Sequence, residues 1–88
     1  MAWRVEFIPA AAKELRKLDP QVARRITSYL DEVVIQCDDP RDRGKALTAN
    51  LVGLWRYRVG DHRVICEIED DRLLVLVVRV SHRCDVYR

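Results

Sequence analysis

The chain has 88 residues, of which 49% are hydrophobic and 34% are charged. This length predicts one small domain over residues 1–88 with a single modest core. The net charge of +2 does not by itself argue for a nucleic-acid partner, but thirteen of the 16 basic residues are Arg, the residue preferred for bidentate recognition of phosphate or carboxylate.

The cysteines and the apolar segments exclude several classes of protein. Cys37, Cys66 and Cys84 are odd in number and lack C-x-x-C spacing, so neither a disulfide framework nor a zinc site is predicted. The N-terminal MAWRVEF has no signal-peptide core, and the longest apolar run, Leu73–Val78, is too short for a membrane helix. We expect a soluble cytoplasmic protein that makes no contact with membranes.

The first half of the chain predicts one strand and two helices. The alternating Trp3–Ile8 predicts a strand that Pro9 closes, and Ala10–Leu18 is rich in helix formers. Asp19-Pro20 is typical of an N-cap followed by proline at the first helical position. The second helix ends before Asp38, and its apolar stripe comprises Val22, Ile26, Tyr29, Leu30 and Val33, which Cys37 would extend.

The second half predicts a sheet. Arg41–Leu51 has no clean period and is predicted to be a loop. Three strands follow, at about Gly53–Val59, His62–Glu69 and Arg72–Val80, with the last one central because both of its faces are apolar. The fold class is α+β in the order β-α-α-β-β-β, with two N-terminal helices packed on one face of a small, mainly antiparallel sheet.

Three arginines are predicted to crowd together beside a hairpin. Side chains two apart in a strand share a face, so Arg56 and Arg58 point away from the helices, and we expect Trp55, Tyr57, Val64 and Cys66 to pack beneath those helices. Gly60-Asp61 is typical of a two-residue type II′ turn, which places Arg58 directly opposite Arg63. Because like charges in that position are destabilising, an anion between the guanidinium groups is the simple explanation, on a face left open or concave.

The C-terminal SHRCDVYR adds His82, Arg83 and Tyr87, which we expect to emerge near Arg58 and His62. Together with the three strand arginines they form a set suited to a phosphodiester: arginines hold the phosphate and stabilise developing charge, while Tyr or His exchanges protons. The sequence offers no carboxylate pair, no serine nucleophile with a base and no glycine-rich phosphate loop.

The segment from Gly53 to Arg88 resembles the RelE family of bacterial and archaeal toxins, within the wider RelE/ParE superfamily. W-R-x-R-x-G-D-x-R followed by H-R-x-D-V-Y-R carries the resemblance, which extends over nearly the whole chain. It implies a ribosome-dependent, metal-independent mRNA endoribonuclease that cleaves in the A site and needs no cofactor. It also implies a RelB-like antitoxin, with operator DNA bound only through the toxin–antitoxin complex.

The resemblance further implies roles for individual residues. Arg56 and Arg58 would grip substrate phosphates. His82 is a further candidate for substrate binding because of its expected position near them, and not because of the resemblance. Arg63 would stabilise the transition-state phosphate. Arg83 would contact a phosphate or act as general acid, and Tyr87 would stack on a base or act as general base.

Other interpretations of the same residues remain open at this point. There are three structural alternatives. Arg56 and Arg58 would be solvated strand residues, His82 would only position the tail, and Tyr87 would be a C-terminal anchor. The functional alternatives are a ParE-like toxin, which binds DNA gyrase and is not a nuclease, and an inactive antitoxin-binding co-repressor.

Overall fold

A computed structural model describes residues 3–47 and 53–82, and it confirms the predicted α+β architecture. Five strands form one sheet in the order β1-β5-β4-β3-β2, in which β1 runs parallel to β5 and every other pair is antiparallel. The strands are β1 (Arg4–Phe7), β2 (Lys45–Ala46), β3 (Trp55–Val59), β4 (His62–Glu69) and β5 (Leu74–His82). The helices are α1 (Pro9–Arg16) and α2 (Pro20–Gln36), and short 3₁₀ turns span Pro40–Asp42 and Asp70–Arg72.

The structure corrects three details of the predicted order. The segment predicted to be a loop contains a 3₁₀ turn and the two-residue β2, which is too short to show a period. The middle strand is β4, because β1 lies beside β5 and makes it the second strand of the sheet. The last strand begins at Leu74, since Arg72 lies in a 3₁₀ turn and Leu73 adopts a left-handed φ of 49°.

Both helices begin as their sequences indicate. Pro9 ends the first strand and also occupies the first turn of α1, where its missing N–H costs nothing. Asp19 caps α2 by accepting a hydrogen bond from the Gln21 N–H at 2.9 Å, as predicted. Within the described ranges, neither helix is long and apolar enough to cross a membrane.

The core lies between the helices and one face of the sheet. The apolar stripe of α2 supplies Ile26, Leu30 and Val33, which are at most 1% exposed. Tyr57, Val64 and Cys66 are fully buried in the same cluster, and Trp55 packs against it half-buried, as predicted. The Glu14 carboxylate ties α1 to the sheet by accepting a hydrogen bond from the Val80 N–H at 2.9 Å.

Two aromatic side chains of β3 hold the segment that follows α2. The Tyr57 hydroxyl donates to the Pro40 carbonyl at 2.7 Å, and the Trp55 indole N–H donates to the Arg43 carbonyl at 2.6 Å. Gly44 sits between them with φ of 81°. A Cβ at Gly44 would meet the Arg56 carbonyl and would lie 2.6 Å from the Trp55 Nε1 and 2.9 Å from the Tyr57 ring. This segment therefore requires glycine for its space as well as for its backbone conformation.

We predict that Gly44→Ala lowers the free energy of unfolding by about 2–5 kcal/mol, the sum of left-handed backbone strain and overpacking. Urea denaturation followed by circular dichroism measures this. Gly53→Ala is the matched control, because Gly53 also has a positive φ (94°) but no atom lies within 4 Å of its Cβ position. Its cost should stay at about 1–2 kcal/mol. Equal costs for the two variants would show that the close contacts around Gly44 are unimportant.

Candidate nucleic-acid interface

The β3–β4 hairpin has the predicted register. Val59 pairs with His62 and Arg58 pairs with Arg63 across the Gly60-Asp61 turn. Gly60 has φ of 60° and Asp61 has a negative φ, as a type II′ turn requires. Two arginines on neighbouring strands therefore lie directly opposite each other.

Arg56, Arg58 and Arg63 lie on one face of the sheet. They alternate with Tyr57 and Val64, which are buried on the helix side, so the arginines occupy the face that the helices do not cover. Arg56 pairs with Lys45 of β2 on one side, which adds a fourth cation to this face.

A β-bulge adds Arg79, a residue that the sequence analysis did not identify. Cys66 pairs with Val77 and Ile65 pairs with Arg79, so Val78 is an extra residue without a partner on β4. The bulge reverses the alternation of β5, because an extra residue turns every following side chain to the other face. Arg79 thus joins Arg56, Arg58 and Arg63 on what we call the arginine face.

The only sequence signal for Arg79 is a charged residue within the apolar run of the last strand. Without a bulge, the alternation of side chains along β5 would place Arg79 on the same face as Val75 and Val77, which are both buried beneath the helices. A guanidinium group could not remain there without a partner. That conflict indicates a bulge but does not locate it.

The arginine face is enclosed at its centre and open at its sides. Arg63 and Ser81 pair with each other and are each only 7% exposed, and the neighbouring Ile65 is 4% exposed. Arg58 and Arg79 are exposed. Of the open or concave face that the sequence predicts, Arg63 forms the enclosed part, since β4 is the middle strand and has a neighbour on each side.

The outer arginines of this face keep their charge uncompensated within residues 3–47 and 53–82. Among these residues the arginines that form salt bridges are Arg4, Arg41 and Arg72, and none of them belongs to the arginine face. Arg41, for example, makes a bidentate contact with Asp70 at 2.8 and 2.9 Å, which lowers the pKa of that carboxyl group. Arg56, Arg58 and Arg79 thus form no salt bridge with any described residue.

The structure does not bring His82 to the arginine face. His82 pairs with His62 on the helix side of the sheet, and their rings lie 5.2 Å apart in an edge-to-face arrangement. Arg83 and Tyr87, the other predicted tail residues, lie outside the described residues.

Two buried side chains near the site are unsuited to proton transfer. Burial raises the pKa of the Tyr57 phenol, so this group stays protonated and acts as the hydrogen-bond donor to Pro40. Burial likewise raises the pKa of the Cys66 thiol and keeps it unreactive. In the part of the chain that is described, no group of three or more His, Cys, Asp or Glu side chains could hold a metal ion.

The arrangement can bind an anion that has several oxygens. Arginines of three adjacent strands lie on one surface, and a guanidinium group is a planar fork that matches two phosphate oxygens. Preorganised cations of this kind stabilise negative charge that develops during phosphoryl transfer.

Known proteins are similar to this chain in sequence and in fold. Residues 5–87 match the family model described as the ParE toxin of the type II toxin–antitoxin system parDE. The chain is 31% identical to toxin RelG of Mycobacterium tuberculosis over 88 residues, which is 100% of this chain and 99% of that protein. It is 28% identical to toxin RelE of the same organism over 86 residues, 98% of this chain and 87% of that protein.

The structural comparison agrees. The crystal structure of the toxin–antitoxin complex RelBE2 from Mycobacterium tuberculosis matches with a TM-score of 0.75 and 28% identity, over 94% of this chain and 100% of that chain. The resemblance inferred from the strand and tail motifs is thereby confirmed. The chain belongs to the RelE/ParE superfamily of toxins from type II toxin–antitoxin systems.

Proposed function

We propose that this toxin is a ribosome-dependent endoribonuclease that cleaves mRNA in the A site and so inhibits translation. The observation that carries the proposal is the in-register pairing of Arg58 with Arg63, flanked on the same face by Arg56 and Arg79. Such a cluster is costly in a small domain unless an anion binds between the charges.

The chemistry would need little beyond positioning, electrostatics and proton transfer. The ribose 2′-hydroxyl attacks the adjacent phosphorus, the bond from phosphorus to the 5′-oxygen breaks, and the products are a 2′,3′-cyclic phosphate and a 5′-hydroxyl. Arg63, enclosed with its Nε buried, is held ready to stabilise the pentavalent phosphate. Arg56, Arg58 and Arg79 would hold the phosphates around it.

Arg83 and Tyr87 would complete the site, as the family resemblance implies. Arg83 would contact a phosphate or protonate the leaving oxygen, and Tyr87 would stack on a base or accept the 2′-hydroxyl proton. A tyrosine with its ordinary pKa of about 10 is a weak base at neutral pH, but neighbouring guanidinium groups favour the phenolate.

A RelB-like antitoxin would hold the toxin inactive, and the toxin would reach operator DNA only through that complex. The support is that the Mycobacterium tuberculosis relative is itself a toxin–antitoxin complex. A disordered acidic segment that folds on contact would suit the cationic face. Co-purification of the toxin with the product of an adjacent gene tests this pairing.

The family model supports a second candidate, because its description names ParE. A ParE-like toxin would bind DNA gyrase and would not cleave RNA. The arginine face favours the nuclease, since gyrase binding alone does not require phosphate-binding groups around a buried Arg63.

One paired experiment separates the two candidates. We predict that the wild-type toxin cuts mRNA on programmed ribosomes, seen by primer extension, and leaves DNA supercoiling by purified gyrase unchanged. Gyrase inhibition without mRNA cleavage would establish the ParE-like function. If the protein shows neither activity and does not arrest growth when it is expressed without antitoxin, it is an inactive co-repressor.

Substitutions on the arginine face should lower cleavage in a graded series. We predict that Arg63→Ala lowers the single-turnover rate by about 100-fold or more, as removal of one transition-state donor does in other enzymes. Arg79→Ala should cost less, because this exposed residue contacts a flanking phosphate. The measurement is the rate of cleavage on programmed ribosomes.

Arg72→Ala is the control for this series, because Arg72 is exposed and pairs with Glu69 at the opposite end of β4 from Arg63. It should cleave at the wild-type rate. Thermal melts of all three variants establish that each is folded. A folded Arg63→Ala variant with full activity would remove Arg63 from the site.

Tyr87→Phe separates the two roles of the tail tyrosine. If the phenol moves a proton, as we propose, this variant loses about 100-fold or more in cleavage rate. Stacking alone predicts near-normal activity for Tyr87→Phe and a large loss only for Tyr87→Ala. The comparison of the two variants in the ribosomal assay decides between the roles.

A further inference from the structure

A groove runs between α2 and the β3–β4 hairpin, on the side of the sheet opposite the arginine face. One part of it is a cavity of about 400 Å³ bordered by Arg25, Tyr29 and Arg58. A second cavity of about 240 Å³ shares Tyr29 and Arg58 and adds Arg56 and Lys45. Tyr29 and Arg58 line both cavities, so the two lie side by side, and we describe them together as one groove that meets the arginine face along β3.

The groove extends around the tip of the hairpin. A third cavity, of about 130 Å³, shares Arg25 and Gly60 with the first and reaches His62 and His82. The predicted site residue His82 therefore borders this groove and not the face that carries Arg63.

Cations predominate along the groove. Arg25, Lys45, Arg56 and Arg58 border it, and their acidic counterparts are Glu32 and Asp61. None of the four cations forms a salt bridge within residues 3–47 and 53–82. Their charge is available to an anionic ligand.

Tyr29 supplies an aromatic surface in the middle of the groove. It is half-buried, and its ring lies edge-to-face at 5.9 Å from the ring of the fully buried Tyr57. The Arg43 guanidinium lies 5.9 Å from the centre of the Tyr29 ring. These contacts hold the ring in place, and because Arg43 lies over one face of it, a nucleobase would stack on the opposite face without ordering a mobile side chain.

Arg25 is placed against the hairpin turn. Its Nη1 lies 3.6 Å from the position that a Cβ at Gly60 would occupy. The preceding Arg24 is also exposed but borders none of the three cavities. Two adjacent arginines of one helix thus differ in whether they reach the groove.

We propose that this groove binds the single-stranded RNA that flanks the cleaved bond, so that the substrate crosses β3 from the arginine face and continues past Tyr29 to Arg25. The inference rests on the proposed nuclease function. The groove itself supports the inference because it combines cations that form no salt bridge with any described residue and an aromatic ring held in place. Channels for single-stranded nucleic acid usually have this composition. An acidic peptide would use the cations but would have no need of the ring.

The test is binding of 2′-O-methyl RNA, which lacks the attacking hydroxyl and is not cut, measured by fluorescence anisotropy at low salt. An oligonucleotide of about 4 nucleotides can cover only the arginine face, whereas one of about 12 nucleotides can cover both the face and the groove. We predict that the wild type binds the longer strand at least about tenfold more tightly, and that Arg25→Glu removes this gain. Arg24→Glu is the matched control and should lower affinity for the longer strand by less than about threefold.

Several results would overturn the proposal. Equal losses for Arg24→Glu and Arg25→Glu would indicate diffuse electrostatic attraction without a groove. So would a wild type that binds both lengths equally. Loss of oligoglutamate binding in Arg25→Glu, with RNA binding intact, would assign the groove to an acidic peptide.

Separate control measurements test whether the variants are folded and whether the wild type is active. Melting curves establish that both variants are folded, and Arg25→Gln replaces Arg25→Glu if the charge reversal unfolds the domain. Because the readout is binding, a wild type that cleaves mRNA on ribosomes but fails the length comparison would overturn the groove alone. A wild type that fails to cleave would overturn the nuclease function.

Discussion

Burial of one face of the sheet under α1 and α2 is the constraint on which the arginine face depends. Tyr57 and Val64 are fully buried there, and a strand that buries one residue turns its neighbours to the opposite side. Arg56, Arg58 and Arg63 therefore have no alternative to the uncovered face. A register slip of one residue in β3 would turn Arg56 and Arg58 into the core, a cost far above what a domain of 88 residues can bear. Core packing and the position of the cations are thus two consequences of one register.

The bulge at Val78 gives β5 two functions. Before it, Val75 and Val77 contribute to the core; after it, Val80 continues the core while Arg79 and Ser81 turn to the arginine face. Without the extra residue Arg79 would point into the helices. The bulge also explains how a strand whose sequence is apolar on both faces contributes a charge to the site, in keeping with the frequent occurrence of bulges beside functional sites.

The arginine face and the groove meet at β3, because Arg56 and Arg58 border both. The neighbouring segment after α2 is fixed by hydrogen bonds from Trp55 and Tyr57, the core-side residues that alternate with those arginines. A single five-residue strand thus carries packing on one side and cations on the other. In a domain this small, binding surface and core cannot be assigned to separate elements, and changes in one are transmitted to the other.

The sequence by itself determined the two helices, the Asp19 cap, the Gly60-Asp61 turn and the pairing of Arg58 with Arg63. Each of these follows from local chemistry: a capping side chain, a turn that needs a positive φ, and a period of two along short strands. The strand and tail motifs likewise sufficed for the family. Only the tertiary structure revealed the two-residue β2, the place of β1 beside β5, the burial of Arg63 and the position of Arg79. These four features depend on which strands become neighbours in the sheet and on the one extra residue in β5. Strand pairing is decided by contacts between segments that are distant along the chain.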